Sequence, residues 1–182
     1  LKLNNVRLAF PSLFEAKTVN GEGEGDPRFS AVFLMSPKHP QLEEIRKAMK
    51  QVAKEKWGEK WESIYNQLEK KLNLCLHDGD EKAEYEGFPG NFFLNAANKA
   101  RPAVLDRDRS PLIQADGRPY AGCYVNAVID IWAQDNNFGK RINASLGGVQ
   151  FLRDGDAFAG GGVASADDFD DISEGADAEA LI

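Results

Sequence analysis

The sequence predicts a mainly β fold with a helical insertion and an acidic tail, an α+β chain, on three observations. Apolar residues alternate with period two over much of residues 1–153. The alternation gives way to helical spacing at about residues 40–72, and the composition changes abruptly after Arg153. A chain of 182 residues is one domain of ordinary size with an appendage, long enough to bury a core without disulfides or metal. At 42% hydrophobic and 28% charged residues, a wholly disordered polypeptide is excluded.

The first strand spans Leu1–Phe10, with Leu1 and Leu3 on one parity and Val6, Leu8 and Phe10 on the other; the switch at Asn4-Asn5 predicts a bulge. A Gly-rich loop, Gly21–Pro27, leads into Arg28–Met35, where Phe29, Ala31, Phe33 and Met35 alternate. Pro40 opens a helix with Leu42, Ile45, Met49, Val52 and Ala53 on one face. A second helix follows Gly58, with Trp61, Ile64, Tyr65, Leu68 and Leu72 on its apolar face. Asn91–Ala97 and Pro102–Leu105 read as short strands. The clearest alternation is in Gly122–Ala133, with Cys123, Val125, Ala127, Ile129 and Ile131 on one face and Tyr124, Asn126, Val128, Asp130 and Trp132 on the other. A turn at Asp135–Gly139 leads into Lys140–Arg153, in which Gly147-Gly148 predicts a bend or bulge. Five or so twisted strands with a helical insert suit a small OB-type β-barrel; periodicity alone leaves a sandwich as the alternative. The domain is placed at residues 1–153 and the tail at 154–182.

The formal net charge of −7 conceals an asymmetry. Residues 154–182 hold nine carboxylates and no Lys or Arg, which leaves 20 carboxylates against all 22 bases in residues 1–153, a body of +2. Such asymmetry points to nucleic-acid binding or to an acidic interaction tail. The tail is mostly Gly, Ala, Asp, Glu and Ser, its large apolar residues (Phe158 among them) too scattered for a core, and is expected to be disordered. No apolar run approaches the ~18 residues of a membrane span. Two cysteines, Cys75 and Cys123, exclude a disulfide scaffold and suit a reducing cytosol.

Catalytic chemistry finds little support. Neither His39 nor His77 lies in a His-Glu-x-x-His helix, and no Gly-x-Ser-x-Gly elbow is present. Cys75-x-His77 falls short of a zinc set and reads as a buried structural pair. Glu22 and Glu24 in the Gly-rich loop would repel phosphate. Asp106 and Asp108 could hold Mg²⁺ for a nuclease, although alternation with Arg107 and Arg109 favours local ion pairs. No catalytic residue, metal or cofactor is assigned.

A cationic and aromatic constellation is the stronger signal. Lys99, Arg101, Arg107, Arg109 and Arg118 flank the 102–105 strand, and Lys140 and Arg141 sit beside Phe138 at the hairpin turn. Tyr124 and Trp132 share the outward strand face, with Tyr120 just before it. Single-stranded nucleic acid calls for this mixture, because cations follow phosphates while aromatic faces stack on unpaired bases. The same aromatics also suit packing against the helical insert, and composition alone leaves both roles open.

Four segments carry a family resemblance: Asn5-Val6-Arg7-Leu8-Ala9-Phe10-Pro11-Ser12-Leu13-Phe14, Arg101-Pro102-Ala103-Val104-Leu105-Asp106-Arg107-Asp108, Gly122-Cys123-Tyr124-Val125-Asn126-Ala127, and Asn136–Ser145 with Gly148–Phe151. They resemble a family of phage and prophage single-stranded-DNA-binding proteins over essentially the whole chain. The resemblance implies an OB-type fold, a non-enzymatic role in phage DNA replication or recombination, and the bacterial host cytosol as location. It carries no catalytic motif. It also likens the tail to those of bacterial and phage single-strand binders, with Asp167, Asp168, Phe169, Asp170, Asp171, Ile172, Leu181 and Ile182 as the partner-binding stretch; those tails often end in an aromatic, whereas this one ends Leu181-Ile182. Single-stranded DNA is the expected ligand, replication or recombination proteins are the expected tail partners, and a homo-oligomer is compatible with the reading. Two alternatives stay open: a metal-dependent DNA-processing enzyme using Asp106 and Asp108, and a protein-interaction module with a DNA-mimicking tail.

Overall fold

The computed structural model of the chain describes residues 1–18, 25–158, 170 and 172. Seven strands and two helices follow in the order β1 (Lys2–Lys17), β2 (Arg28–Met35), α1 (Leu42–Trp57), α2 (Trp61–Lys70), β3 (Leu76–Asp78), β4 (Phe92–Asn98), β5 (Ala103–Leu105), β6 (Tyr124–Asn136) and β7 (Gly139–Arg153). Strand order is β3-β4-β2-β1-β6-β7-β5, and an additional β4–β7 pairing closes β1, β2, β4, β7 and β6 into a barrel. The closing pair is parallel, Ala97 opposite Ser145, while β1–β2, β1–β6, β2–β4 and β6–β7 are antiparallel. This connectivity is the OB barrel, and it removes the sandwich alternative. β5 continues along the edge of β7 beyond β4, pairing Ala103–Leu105 with Gly148–Gln150.

Alternation becomes burial as expected. Phe33, Leu94, Ile129, Ile142 and Leu146 point into one core and are almost wholly buried. The helical insertion adds Leu42, Ile45, Met49, Ala53, Tyr65 and Leu68 to that core. Glu43 and Glu44 in the first turn of α1, with Lys54 and Lys56 in its last, complement the helix dipole. Gly58, at φ +56°, ends the helix in a conformation that disfavours other residues.

The predicted bulges are present. The β1–β6 register shifts between Leu3 and Val6, around Asn5 at φ +55°. The β6–β7 register shifts where Val128 faces Gly148 and Ile129 faces Leu146, leaving Gly147 as the extra residue.

Three features depart from the sequence reading. β1 runs on to Lys17 through a second bulge between Ala9 and Ser12, where the missing N–H of Pro11 is tolerated because the ladder is already interrupted. Leu76–Asp78 pairs with β4 as a short strand whose three residues are too few for periodicity to reveal. Residues 154–158 pack on the barrel instead of leaving it. The Phe158 N–H donates to the Ala121 carbonyl at 3.1 Å, and its ring packs against the small cluster containing Leu34 and Phe88. A Cβ at Gly87 (φ +86°) would stand 2.7 Å from that ring.

Candidate nucleic-acid interface

A groove of about 730 Å³ crosses the outer face of β2 and β4 and ends on the distal half of the β6–β7 hairpin. Inward residues of β2 (Phe29, Ala31, Phe33) fill the core, so Arg28, Ser30 and Val32 face out. They lie beside Asn95 and Ala97 of β4, in the register Val32–Asn95 and Ser30–Ala97. Beyond β4, the outward residues of the hairpin supply Trp132, Gln134, Arg141 and Asn143. In chain order β2 and β4 are the second and third strands of the closed barrel, the face on which OB barrels hold oligonucleotides.

The hairpin is held rigidly. The Trp57 indole N–H donates to Asp135 at 2.9 Å, and the Arg141 guanidinium donates to the Asn73 side chain at 2.9 Å. The Ile142 N–H donates to the Asn73 carbonyl at 3.1 Å. Asn143 donates to Gln134 at 2.9 Å beside Trp132, which is 38% exposed. At the tip, Phe138 is 91% exposed in the loop between Asn136 and Gly139, with its N–H held by the Asn136 side chain.

Electrostatics favour an anion. Arg28 and Arg141 line the groove, and Asp26 is the one carboxylate among its described lining residues. Lys99 pairs with Asp26 at 2.6 Å and holds its carboxyl below the usual range. Arg101 donates to the Phe14 carbonyl at 3.0 Å and lies over Phe29 near the same barrel end. Lys140 stands 3.8 Å from Asp135.

The remaining expected contacts lie elsewhere. Arg118 bonds Asp106 at 2.6 Å, which lowers the carboxyl pKa of Asp106. Asp108 accepts from the Ser110 hydroxyl and backbone N–H, which likewise lowers its own pKa. Both carboxylates are thus engaged, Asp106 by the Arg118 guanidinium and Asp108 by Ser110, in place of the ion pairs with Arg107 and Arg109 that the sequence suggested. Arg107 is exposed in that turn, and Arg109 borders a separate shallow groove with Lys2 and Val128. The Tyr120 hydroxyl donates to Asp154 at 2.7 Å. Tyr124, at the base of β6, has the Arg153 guanidinium over its ring at 3.7 Å and Arg7 at 5.8 Å. Arg7 in turn donates to the Asp156 carbonyl at 2.7 Å and lies over Phe158 at 4.3 Å.

Thus Trp132 and Arg141 line the groove, Lys99 and Arg101 lie beside it, and Phe138 and Lys140 sit at the tip of the hairpin, whereas Arg107, Arg109, Arg118, Tyr120 and Tyr124 do not join them. Sequence reasoning missed Arg28 and Asn95; their signal was the outward parity of β2 and β4. In the tail, Asp170 and Ile172 are exposed, while Asp167, Asp168, Phe169, Asp171, Leu181 and Ile182 lie outside the described residues.

Burial pushes the Cys75 thiol up to about 12 and that of Cys123 up to about 11, leaving neither a ready thiolate. His77 stacks on Phe93 with ring centroids 4.9 Å apart and contacts Glu81 at 3.3 Å, a structural arrangement. Among the described residues, no cluster of three potential metal ligands occurs, and no helix is long and apolar enough to cross a membrane.

Comparison with known proteins identifies the family and the fold. A putative protein, p50, of Acyrthosiphon pisum secondary endosymbiont phage 1 is 54% identical over 184 residues, covering 100% of this chain and 98% of that protein. The single-stranded DNA-binding protein of bacteriophage Enc34, solved in complex with single-stranded DNA, is 27% identical and superposes with a TM-score of 0.72 over 86% of this chain and 87% of its own. The bacteriophage T7 single-stranded DNA-binding protein gp2.5, at 10% identity and a TM-score of 0.56 over 91% of this chain and 97% of its own, shares the fold. The family model for the single-stranded-DNA-binding protein of Enterobacter phage Enc34 matches residues 1–181, and the chain belongs to that family.

Proposed function

We propose that the chain binds single-stranded DNA along the β2–β4 groove without sequence preference and takes part in phage DNA replication or recombination. One observation carries the reading: Trp132 and Arg141 stand together at the hairpin end of the β2–β4 face of an OB barrel, with Arg28 further along it. Arg28, Arg141, Lys99 and Arg101 follow the phosphates, while Trp132 and Phe138 offer ring faces to unpaired bases. Groove lining by Asn95, Gln134 and Asn143 gives polar contacts that adapt to any base. The role is non-catalytic, since binding and protection need no bond to break. The acidic tail competes with DNA for the cationic groove and, once displaced, recruits a replication or recombination protein.

A gel shift with and without Mg²⁺ tests the reading. Protection of a single-stranded oligonucleotide, with weaker binding to duplex at matched salt, supports it. Equal affinity for both, or Mg²⁺-dependent cleavage, overturns it.

A further inference from the structure

Phe10 combines three properties that seldom meet in one side chain. Its backbone is left-handed at φ +45°, where a bulky residue is an outlier. It is 51% exposed, so burial does not compensate for that conformation. It also sits in the β1–β2 bulge between Ala9 and Ser12, a device that re-aims side chains beside binding sites and whose left-handed form takes glycine. The inward row Val6 and Leu8 would have continued into the core at Phe10. Instead the bulge delivers the ring to the groove wall that also holds Arg28 and Asn95.

The ring is braced from outside the barrel. Tyr85 meets it edge-on at 4.9 Å and 75°, with Phe88 at 5.9 Å behind. The loop carrying both is fixed at its base, where the Gly79 N–H donates to the Asn91 carbonyl at 2.7 Å and a Cβ at Gly79 would collide with the Phe88 carbonyl. Tyr85 is itself 40% exposed. A strained residue persists where its surroundings over-determine it, and such strain concentrates at ligand-binding sites.

We infer that Phe10, braced by Tyr85, is a second base-stacking platform at the far end of the groove from Trp132. The path from β1 through β2, β4 and β7 to β6 crosses four inter-strand steps, roughly 19 Å along the curved sheet at ~4.8 Å each. A single strand laid across the sheet meets an aromatic face at each end, with Arg28 and Arg141 along the way. The ligand of this platform is an unpaired base of the same strand, so the inference rests on the groove being the single-strand site.

Phe10→Gly separates stacking from structure, because glycine accepts the left-handed backbone while removing the ring. The thermal midpoint should change little, since relief of backbone strain offsets the lost ring contacts. Affinity for an oligothymidine should fall at least about five-fold, the lower bound for losing one stacked base. The salt slope should stay unchanged, because no phosphate contact is lost, and Phe10→Tyr should restore binding. Trp132→Ala and Arg141→Ala are measured beside it. If these weaken binding while Phe10→Gly, compared at equal folded fraction, does not, the platform is overturned and the groove stands. If the unaltered protein fails to bind oligothymidine, both fall together.

Discussion

The Arg153 guanidinium lies 3.7 Å from the centre of the Tyr124 ring, so the surface this tyrosine would offer a base is already covered by a side chain from the neighbouring strand. Tyr124 and Trp132 share a strand face but not their surroundings. Eight residues separate them, roughly 26 Å of extended strand, with one at the base of the hairpin and the other in the groove. Tyr124→Ala should lower the thermal midpoint, through loss of the Arg153 and Arg7 contacts, with affinity per folded molecule unchanged. Trp132→Ala should do the reverse, weakening binding by ~1–3 kcal/mol with little effect on melting. Melting curves and titrations of the two variants side by side decide the assignment.

Salt dependence should separate groove cations from the rest. Log affinity should fall with log salt by ~0.7 for each phosphate neutralised on a single strand. Arg28→Ala and Arg141→Ala should each reduce that slope by about this amount. Arg118→Ala should leave it unchanged, because its guanidinium is engaged with Asp106 at 2.6 Å. A series of titrations from low to moderate salt provides the measurement.

Asp26 is the one carboxylate among the described residues lining the groove, and it holds Lys99 at 2.6 Å. Asp26→Asn should release that cation and tighten binding, by less than about five-fold and most visibly at low salt. Lys99→Ala in the Asp26→Asn background should cancel the gain. If Asp26→Asn alone weakens binding, the pair is a fixed structural bracket and Lys99 is not a phosphate contact.

His77 gives a pH signature independent of DNA. Burial against Phe93 lowers its pKa below the ordinary 6.5, partly opposed by Glu81. The folded state therefore prefers the neutral imidazole. Its contribution is complete above pH 6.5 and declines as pH falls through the lower folded pKa, where the unfolded chain binds the extra proton. Denaturant midpoints near pH 7.5 and about pH 5.5 should differ more for the unaltered protein than for His77→Phe.

Deleting residues 164–182 should tighten binding to one oligonucleotide at low salt and have little effect at high salt, since the interaction removed is between exposed charges. The same deletion should abolish pull-down of a tail-dependent replication or recombination partner. Identical low-salt affinities would leave the tail without a competitive role.

The long hairpin was legible because twelve consecutive residues of alternating character, Gly122–Ala133, admit one pairing face. The insertion was legible from the spacing of Leu42, Ile45, Met49 and Ala53. Trp132, Phe138 and Arg141 followed from their place on the outward face and turn of that hairpin. Phe10 did not, because its parity matches Val6 and Leu8; only a bulge, set by pairing with distant β2, turns it outward. The surroundings of Tyr124 were hidden for the converse reason: strand parity gives the face but not what has come to rest on it. Phe158 lies in a stretch whose composition is that of a solvated tail, and its seat is assembled from Gly87, Leu34 and Arg7, none of them near in sequence. The 106–118 cations cluster in the linear chain, yet the 106–110 turn, Asp106 and the edge of β7 take up that segment on another part of the barrel.

Trp57 at the end of α1 and Asn73 just after α2 grip the same hairpin, one through Asp135 and the other through Arg141 and Ile142. An isolated two-stranded ribbon is marginally stable in water, and one reaching past its barrel would have to be stilled by each ligand it met. The insertion works as a strut, so the arm loses its freedom when the chain folds and not when a strand arrives. Ordering an interface during association weakens it, and here that penalty is moved to an earlier event. Damage to the helices would accordingly be felt as faster release of bound strand, by a route in which no helical residue touches a base.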